Sequence, residues 1–491
     1  MAAFVAASNR LPVEVGADGV PSASPGGLAS ALSSVAGDHM AWVGWAGPNS
    51  GRMAPFTFQD ARLYPVALSE GDLARYYRGF SNSVLWPLFH GRLRREEMNR
   101  TWWRTYRSVN ERFALTISRV ASPNATVWLH DYHLLLVPKL LRARRPDLRI
   151  GLFLHIPFPN AQLFSMLPWR DDVLEGMLGA DLLGFQVPDD AANFLATAER
   201  VLEVKASDGR VQLPRRTVEV DAFPISIDVE RWEALGTDAA EAAARHRQLL
   251  AVDTIFLGID RLDYTKGITQ RLQAFGELLD DGGLDARRCT FVQVAVPSRA
   301  DVPAYQDERT EVEQLIEHIN TMHARPDGTG PIHYIEKSLD DAGLAEWYRA
   351  ADVLVVTSLA DGMNLVAKEF VAANVDGDAV LVLSEFAGAA HDLDGAIIVN
   401  PYDIDAIKKA LLMSMEMATV DRVERMDRMR AELRQHDVHH WAEMFLERLT
   451  VVPAANGRHR WAQLPMVRWV SARLPSRLSS RLATRVAARR A

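Results

Sequence analysis

Short apolar runs recur along the chain, and amphipathic stretches separate them. Runs such as "TIFLGID", "TFVQVAV" and "DVLVVT" are almost continuously apolar, which is typical of strands covered on both faces. Stretches such as "GITQRLQAFGELL" place their apolar residues at helical spacing. The alternation of strand and helix predicts an α/β fold built on parallel sheets.

The segment "DAFPISIDVERW" predicts a domain boundary, because a proline-containing turn follows a strand there. We expect a doubly wound, Rossmann-like domain on each side of it, with a central cleft at the carboxyl ends of the strands. The predicted parts are an N-terminal domain over 1–225, a second domain over 226–430, a helical segment over 431–465 that packs back on the first domain, and a basic tail over 466–491.

The composition is that of a globular protein, with 48% hydrophobic and 24% charged residues among 491. The single cysteine, Cys289, excludes an internal disulfide and favours a reducing compartment. It precedes an apolar run, so we expect a packed thiol rather than a nucleophile. No apolar stretch approaches the roughly 20 residues of a membrane helix, and the first residues lack the basic leader of a signal peptide. We therefore expect a cytoplasmic protein.

The formal net charge of −8 is unevenly distributed, since the last 26 residues contain seven arginines and no acid. Arginines recur every four residues with apolar residues beside them, which is an amphipathic basic pattern: Arg473, Arg477, Arg481, Arg485 and Arg489. One interpretation is a flexible tail or a helix docked on the acidic body. In the other interpretation, the tail binds an anionic membrane surface or a protein partner. Nucleic-acid binding is disfavoured, because the tail has one aromatic residue and the rest of the chain is acidic.

Motifs for nicotinamide cofactors and metals are missing from the sequence. It contains no G-x-G-x-x-G after a strand, no G-x-x-x-x-G-K-[ST] and no H-E-x-x-H. "HDYH" at 130–133 follows the run "TVWLH", where His130 and His133 are expected to cap or pack rather than hold a metal. We predict no metal site and no cofactor.

Cationic and glycine-rich segments follow several predicted strands. Arg10 ends the first run, and the pair Gly26–Gly27 precedes a helical run whose free N–H groups favour an anion. In "GIDRLDYTKGI", Arg261 and Lys266 stand five apart in a loop after a strand, which suits a diphosphate. Arg299 repeats the pattern after "TFVQVAV".

The stretch "LADGMNLVAKEF", residues 359–370, is open to two interpretations. In the first, Asp361 is an N-cap and Glu369 is a solvated acid on a surface helix. In the second, the helix start offers N–H groups to a phosphate or a sugar, and the two acids bind the same ligand. The cations that follow the other strands favour the second interpretation.

Ten segments, taken in order, resemble the trehalose-6-phosphate synthases, a family of retaining glycosyltransferases with the GT-B fold. They run from about residue 8 to about residue 402, and the similarity extends to about residue 450. Ten ordered motifs argue against a chance similarity. The segments are "SNRLPV", "PGGLASAL", "WVGW", "YYRGFSNSVLWPLFH", "WLHDYHLLLVPKLLR", "FLHIPFP", "GIDRLDYTKGI", "VPSRADVPAY", "DGMNLVAKEF" and "LSEFAGAA".

The resemblance implies that glucose passes from a nucleotide-glucose to the anomeric hydroxyl of glucose 6-phosphate, in a homo-oligomer. On the acceptor side, Arg10 and Arg299 would take the phosphate, and Tyr77 would add a hydrogen bond. Asp131 would bind sugar hydroxyls, and Trp86 would form an aromatic wall. The implied acceptor residues are Arg10, Tyr77, Trp86, Asp131, Tyr132 and Arg299.

On the donor side, the resemblance implies that Arg261 and Lys266 bind the diphosphate. Glu369 would accept hydrogen bonds from the ribose, and Asp361 would hold the transferred glucose. Leu339 stands where relatives often have an aromatic residue against the base, so uridine, guanosine and adenosine donors all stay open. The implied donor residues are Gly26, Gly27, His155, Arg261, Lys266, Leu339, Asp361, Gly362, Met363, Asn364, Leu365, Val366 and Glu369.

The implied mechanism is a front-face transfer through an oxocarbenium-like state, balanced by the departing phosphate. His155, Arg261, Lys266 and Asp361 would carry it, with His155 positioning the sugar rather than acting as a base. Closure of the two domains would exclude water. Two alternatives stay open: a related synthase with glycerol 3-phosphate as acceptor, and a catalytically silent sugar-phosphate sensor.

Overall fold

The computed structural model describes residues 1–15, 21–23, 40–47, 53–58, 61–92, 98–299 and 302–452. Two features of the sequence lie outside these ranges: the Gly26–Gly27 pair and the basic tail 466–491. Every structural statement that follows concerns the described residues.

Eighteen strands form two large sheets and one small ribbon. In chain order the strands are β1 Ala2–Arg10, β2 Val13–Val15, β3 Pro21–Ala23, β4 Met40–Trp45, β5 Phe56–Phe58, β6 Ala61–Pro65, β7 Ala121–His130, β8 Arg149–Phe153, β9 Leu182–Phe185, β10 Ala206–Ser207, β11 Arg210–Leu213, β12 Arg216–Ala222, β13 Thr254–Arg261, β14 Cys289–Val296, β15 Ile332–Ile335, β16 Val353–Val356, β17 Val380–Ser384 and β18 Ile397–Val399.

The first sheet has ten strands in the order β10-β11-β12-β9-β8-β7-β1-β4-β6-β5. Its centre, from β12 to β6, is parallel, and antiparallel strands pair at both edges. The second sheet has six strands, β15-β14-β13-β16-β17-β18, and all of them are parallel. The predicted α/β fold with two doubly wound sheets is confirmed.

Helices cover the sheets and connect their parallel strands, as crossover connections require. Their bounds are Glu70–Asp72, the π-helix Leu73–Leu85, Trp86–Phe89, Arg100–Val120, the 3₁₀ turn Tyr132–Leu134, Val137–Arg144, Ala161–Phe164, Arg170–Met177, Pro188–Leu202, Val229–Asp238, Ala240–Leu250, Ile268–Asp280, Pro303–Met322, Asp341–Ala350, Leu365–Ala373, the 3₁₀ turn Gly388–His391, Ile404–Glu416, Thr419–Gln435 and Val438–Val451.

The two faces of β1 pack into different parts of the core. Val5 and Ala7 belong to a cluster under the helices of the first sheet, whereas Phe4 and Ala6 belong to a second cluster. That second cluster continues into the second sheet through residues such as Leu257 of β13. The apolar core is therefore continuous between the two sheets, which fixes the strand ends of one sheet near those of the other.

The last described helix, Val438–Val451, packs against the first sheet although it follows the second sheet in the chain. Phe445 stacks on Trp128 of β7, with ring centroids 4.8 Å apart. Arg149 of β8 donates to the carbonyl oxygens of Leu449 and Val452, at 2.5 and 2.8 Å. Through these contacts the helix covers the part of the first sheet that β7 and β8 form.

The predicted boundary near residue 225 stays a prediction. The first sheet ends at Ala222 and the second begins at Thr254, while residues 1–452 form one compact unit. Among the described helices, none is both long enough and apolar enough to cross a membrane.

Candidate functional site

The side chains singled out in the sequence cluster where the carboxyl ends of the two sheets meet. Arg10 ends β1 and Arg261 ends β13. Arg299 follows β14 by three residues and donates from a guanidinium nitrogen to the hydroxyl of Tyr132, 3.2 Å away, in the turn after β7. Since one residue belongs to each sheet, this hydrogen bond crosses between the sheets. The edge is the one at which open α/β sheets bind ligands.

Trp86 forms the aromatic wall that the sequence predicts at this edge. The guanidinium carbon of Arg299 lies 4.0 Å from the centre of the Trp86 ring, and that of Arg261 lies 5.7 Å from it. Tyr132 packs against the same ring and donates from its hydroxyl to Asn82 at 2.7 Å. Cation–π contacts of this kind favour guanidinium groups near the Trp86 ring.

Tyr77 faces three guanidinium groups, which we call the arginine cluster: Arg10, Arg261 and Arg299. Burial alone would raise the pKa of Tyr77, but the three arginines outweigh burial and lower it. The π-helix Leu73–Leu85 carries this tyrosine, and π-helical turns often occur at functional sites. Three cations around one hydroxyl make a site for a multiply charged anion such as a phosphate.

Asp131 and His155 follow β7 and β8 on the first sheet. Asp131 has a left-handed backbone, with φ of 75°, and a carboxylate oxygen accepts from the backbone N–H of His155 at 3.3 Å. Burial raises the pKa of Asp131 to about 6. Burial also lowers the pKa of His155 to about 3, and its Nε2 lies 3.1 Å from Nδ1 of His130. An imidazole with so low a pKa is a weak base, which agrees with a positioning role.

Lys266 and Asp361 form an ion pair between two loops of the second sheet, with about a tenth of each side chain exposed. Gly267, with φ of 61°, caps the helix that begins at Ile268, and its carbonyl accepts from the hydroxyl of Thr357 at 2.7 Å. The backbone N–H of Leu359 donates to the carbonyl of Thr265 at 2.7 Å. These bonds tie the loop after β13 to the loop after β16.

The interpretation of Asp361 as an N-cap is wrong. An N-cap at Asp361 would start the helix at residue 362, but the helix begins three residues later, at Leu365. Its N-cap is Asn364, whose side chain accepts from the N–H of Ala367 at 3.0 Å. The Asp361 carboxylate instead accepts from the Asn364 amide at 3.0 Å and from Lys266. Asn364 adopts φ of 75°, a region that asparagine tolerates better than most residues.

The backbone of residues 361–363 is fixed from two sides. The N–H of Gly388 donates to the carbonyl of Asp361 at 3.2 Å, and the N–H of Ala389 donates to that of Met363 at 2.8 Å. A Cβ on Gly362 would overlap the carbonyl oxygen of His155, so only glycine lets this loop touch the first sheet. The next two predicted residues, Leu365 and Val366, are partly buried.

Glu369 is not a solvated surface acid, and that alternative is wrong. Its carboxylate accepts from the hydroxyl of Tyr348 at 2.8 Å. Burial raises the pKa of Glu369 to about 7, Asp341 raises it further and the Tyr348 hydrogen bond opposes the shift. Leu339 is partly buried next to Asp340, which caps the helix Asp341–Ala350.

The sequence interpretation did not single out the residues that hold the predicted side chains in place. Asp263 and Tyr305 contact Arg299, Asn82 contacts Tyr132, and Tyr348 contacts Glu369. Asp263 lies inside the quoted "GIDRLDYTKGI" and Tyr305 inside "VPSRADVPAY", but spacing alone does not mark them as partners of Arg299. In the described part of the chain, the histidines, cysteine and acids form no group of three or more that could hold a metal ion.

Two doubly wound sheets that meet at their carboxyl ends, with cations from both, are the architecture of the GT-B glycosyltransferases. The sequence profile of glycosyltransferase family 20 matches residues 4–451. The chain belongs to glycosyltransferase family 20.

Similar proteins include trehalose-phosphate synthases of several bacteria. A trehalose-6-phosphate synthase of Mycobacterium sp. (strain KMS) is 44% identical over 463 residues, covering 91% of this chain and 94% of the relative. A UDP-forming alpha,alpha-trehalose-phosphate synthase from Burkholderia xenovorans matches with a TM-score of 0.84 and 34% identity, over 92% of this chain and 99% of that one. Its complex with glucose-6-phosphate matches with the same TM-score and identity, over 91% and 99%.

Proposed function

We propose that this chain is a trehalose-6-phosphate synthase. It transfers glucose, with retention, from a nucleotide-glucose to the anomeric hydroxyl of glucose 6-phosphate, and it releases a nucleoside diphosphate. The observation that carries the proposal is a pair of cationic sites at the meeting of the two sheets: Arg10 with Arg299 beside Tyr77, and Arg261 with Lys266 at the end of β13. A reaction between two phosphorylated sugars needs one such site for each substrate.

The acceptor is assigned to the first sheet and Arg299. Arg10, Tyr77 and Arg299 bind its phosphate, because two cations and a hydroxyl suit a dianion. Asp131 binds sugar hydroxyls, and Trp86 with Tyr132 closes the pocket. The short distances from Arg299 to Trp86 and Tyr132 support this assignment.

The donor is assigned to the second sheet. Arg261 and Lys266 bind the diphosphate, Asp361 and the N–H groups that follow it hold the glucose, and Glu369 binds the ribose. His155, which touches Gly362, positions the transferred sugar. Gly26, Gly27 and Leu339 complete the proposed donor site, with the first two outside the described residues.

The proposed reaction is a front-face displacement. The bond from the donor's anomeric carbon to the phosphate oxygen breaks, and a bond to the acceptor's anomeric oxygen forms on the same face. A leaving phosphate oxygen takes the acceptor's proton. Arg261 and Lys266 balance the charge that develops on the diphosphate, which is the role a metal ion has in other transferases. We therefore propose that no metal and no cofactor take part.

A matrix of donors and acceptors tests the proposed function. UDP-, GDP- and ADP-glucose would each be offered with glucose 6-phosphate and with glycerol 3-phosphate, with and without EDTA, and the product linkage read by NMR. We expect an α,α-1,1 linkage with glucose 6-phosphate as acceptor. The rate should be the same with and without EDTA. Nucleotide release without glucose 6-phosphate dependence would contradict the proposal, and a loss of activity in EDTA would contradict the metal-free mechanism.

The ionisation of Glu369 predicts a pH dependence of donor binding. Its pKa of about 7 lies in the working range, and the ionised form is the better acceptor for ribose hydroxyls. Nucleoside diphosphate affinity is expected to be nearly full above about pH 8, to be halved near pH 7, and to fall toward tenfold per pH unit at lower pH. Calorimetry between pH 5.5 and 8.5 measures this, and Glu369→Gln should reduce the dependence to that of the nucleotide's own terminal phosphate, whose second pKa is about 6. The same slope in both proteins would assign the titration to another group.

We further propose that the enzyme works as a homo-oligomer in the cytoplasm. The sole cysteine supports a reducing compartment: Cys289 is buried, its thiol donates to the carbonyl of Asp285 at 3.1 Å, and burial raises its pKa to about 11. A partner for the basic tail, either an anionic membrane surface or a protein, remains a hypothesis about residues outside the described ranges.

A further inference from the structure

Arg299 is held from both sides, and its partners on one side have no role in the reaction as proposed. One edge of its guanidinium faces Tyr132 on the first sheet. The other edge donates to the hydroxyl of Tyr305 and, at 3.4 Å, to the carboxylate of Asp263. Tyr305 in turn donates to the same Asp263 oxygen at 3.2 Å. Asp263, Tyr305 and Arg299 thus form a closed triangle of hydrogen bonds.

The triangle is buried and has defined geometry. The side chain of Asp263 is fully buried, and that of Arg299 is 8% exposed. The second oxygen of Asp263 accepts from the N–H and the hydroxyl of Thr265, at 3.1 and 3.0 Å. Both carboxylate oxygens therefore have partners. An unpaired charge at such depth would be costly, so Asp263 and Arg299 compensate each other.

The backbone explains why Arg299 needs this support. Arg299 has φ of 47°, a left-handed conformation that is unfavourable for a residue with a long side chain. Its carbonyl accepts from the N–H of Val302 at 2.9 Å, at the start of the helix that carries Tyr305. Strain of this kind persists only where the surroundings hold the residue in place, and the triangle provides that hold.

We infer that Asp263 and Tyr305 are positioning residues for the acceptor phosphate. They fix one guanidinium nitrogen of Arg299 while the group lies over the Trp86 ring and reaches Tyr132 of the first sheet. Asp263 also belongs to the loop that carries Arg261 and Lys266, so the loop that binds the donor diphosphate orients the arginine that binds the acceptor phosphate. The inference rests on the proposed function, because it takes the phosphate of glucose 6-phosphate as the ligand of Arg299.

The test is Tyr305→Phe, which removes the hydroxyl and keeps the ring. We expect the KM for glucose 6-phosphate to rise about tenfold, as the loss of a hydrogen bond to a charged group implies. The kcat and the donor KM should stay within about twofold. With unphosphorylated glucose as acceptor, kcat/KM should not change, because no phosphate is present for Arg299 to bind.

Two further variants complete the design. Asp263→Asn keeps an oxygen for Thr265 and removes the charge, and we expect a rise in the KM for glucose 6-phosphate at least as large. Tyr334→Phe is the matched control, because the buried Tyr334 hydroxyl on β15 has no hydrogen-bond partner within the described residues. It should behave as the wild type.

The outcomes separate the inference from the function on which it rests. A wild-type protein that forms no product from glucose 6-phosphate refutes the proposed function. An active wild type with an unchanged Tyr305→Phe variant refutes only the positioning role. Equal losses with glucose and glucose 6-phosphate, or equal rises in both KM values, would show a general structural role and would also refute the inference.

Discussion

Replacement of Lys266 by alanine is expected to lower kcat by about 10²–10³-fold, the usual loss when one group that stabilises transition-state charge is removed. Lys266 is paired with Asp361 and its side chain is only 11% exposed, so its charge is poorly screened by water. Its loss also leaves the carboxylate of Asp361 without its cationic partner. Initial rates at saturating concentrations of both substrates measure the effect.

The control for this variant is Lys139→Ala. Lys139 pairs with Glu175, and about half of each of these side chains is exposed. Exposed pairs contribute little to stability, so this protein should keep wild-type rates and unfolding temperature. A loss of less than tenfold in Lys266→Ala, with the fold intact by circular dichroism, would contradict the role assigned to Lys266.

Replacement of Asp361 by alanine is expected to lower kcat about 100-fold and to change the donor KM by less than threefold. The Asp361 carboxylate lies between Lys266 and the Asn364 amide, at the contact of its loop with the first sheet. From this position, in the proposed reaction, it would hold the glucose as its anomeric carbon gains positive charge. Burial alone would raise the pKa of Asp361, but Lys266, Asn364 and His90 together outweigh burial and lower it, so the carboxylate stays ionised through the working pH range.

The matched control is Asp376→Ala, which removes an exposed acid paired with Arg349. It should leave both kinetic constants unchanged. If Asp361→Ala raises the donor KM and leaves kcat unchanged, the carboxylate acts in binding alone, and its assignment to the transfer step is wrong.

The strands were predictable because most of them are buried on both faces. A run such as β13, with seven of its eight residues at least partly buried, cannot carry the polar alternation of a half-exposed strand. The positions of the carboxyl ends of the strands were also predictable, because cations and glycines appear where the apolar runs stop. The π-helix Leu73–Leu85 was not predicted, because its hydrogen bonds depend on packing against the helix Arg100–Val120 rather than on local preference.

Within the site, residue types were easier to predict than partners. Arg299 is recognisable as a cation after a strand, but its distance to Tyr132 depends on how two sheets meet, and the intervening chain of more than 160 residues gives no sign of it. For Asp361, the sequence suggested the wrong local role. An acid before a helix suggests a cap, and the structure assigns that role to Asn364 because the left-handed turn there shifts the helix start.

The last helix has a consequence for how the protein is made. Phe445 fills the space beside two glycines of the first sheet, Gly151 and Gly184, where a Cβ on either would lie 2.8 or 2.7 Å from its ring. A ribosome completes the strands of that sheet more than 200 residues before it adds Phe445. Proteins with successive domains usually fold from the N-terminus during synthesis. Here the first sheet keeps an uncovered apolar face until almost the whole chain has emerged, so chaperone binding and folding yield should depend on the helix Val438–Val451 being present.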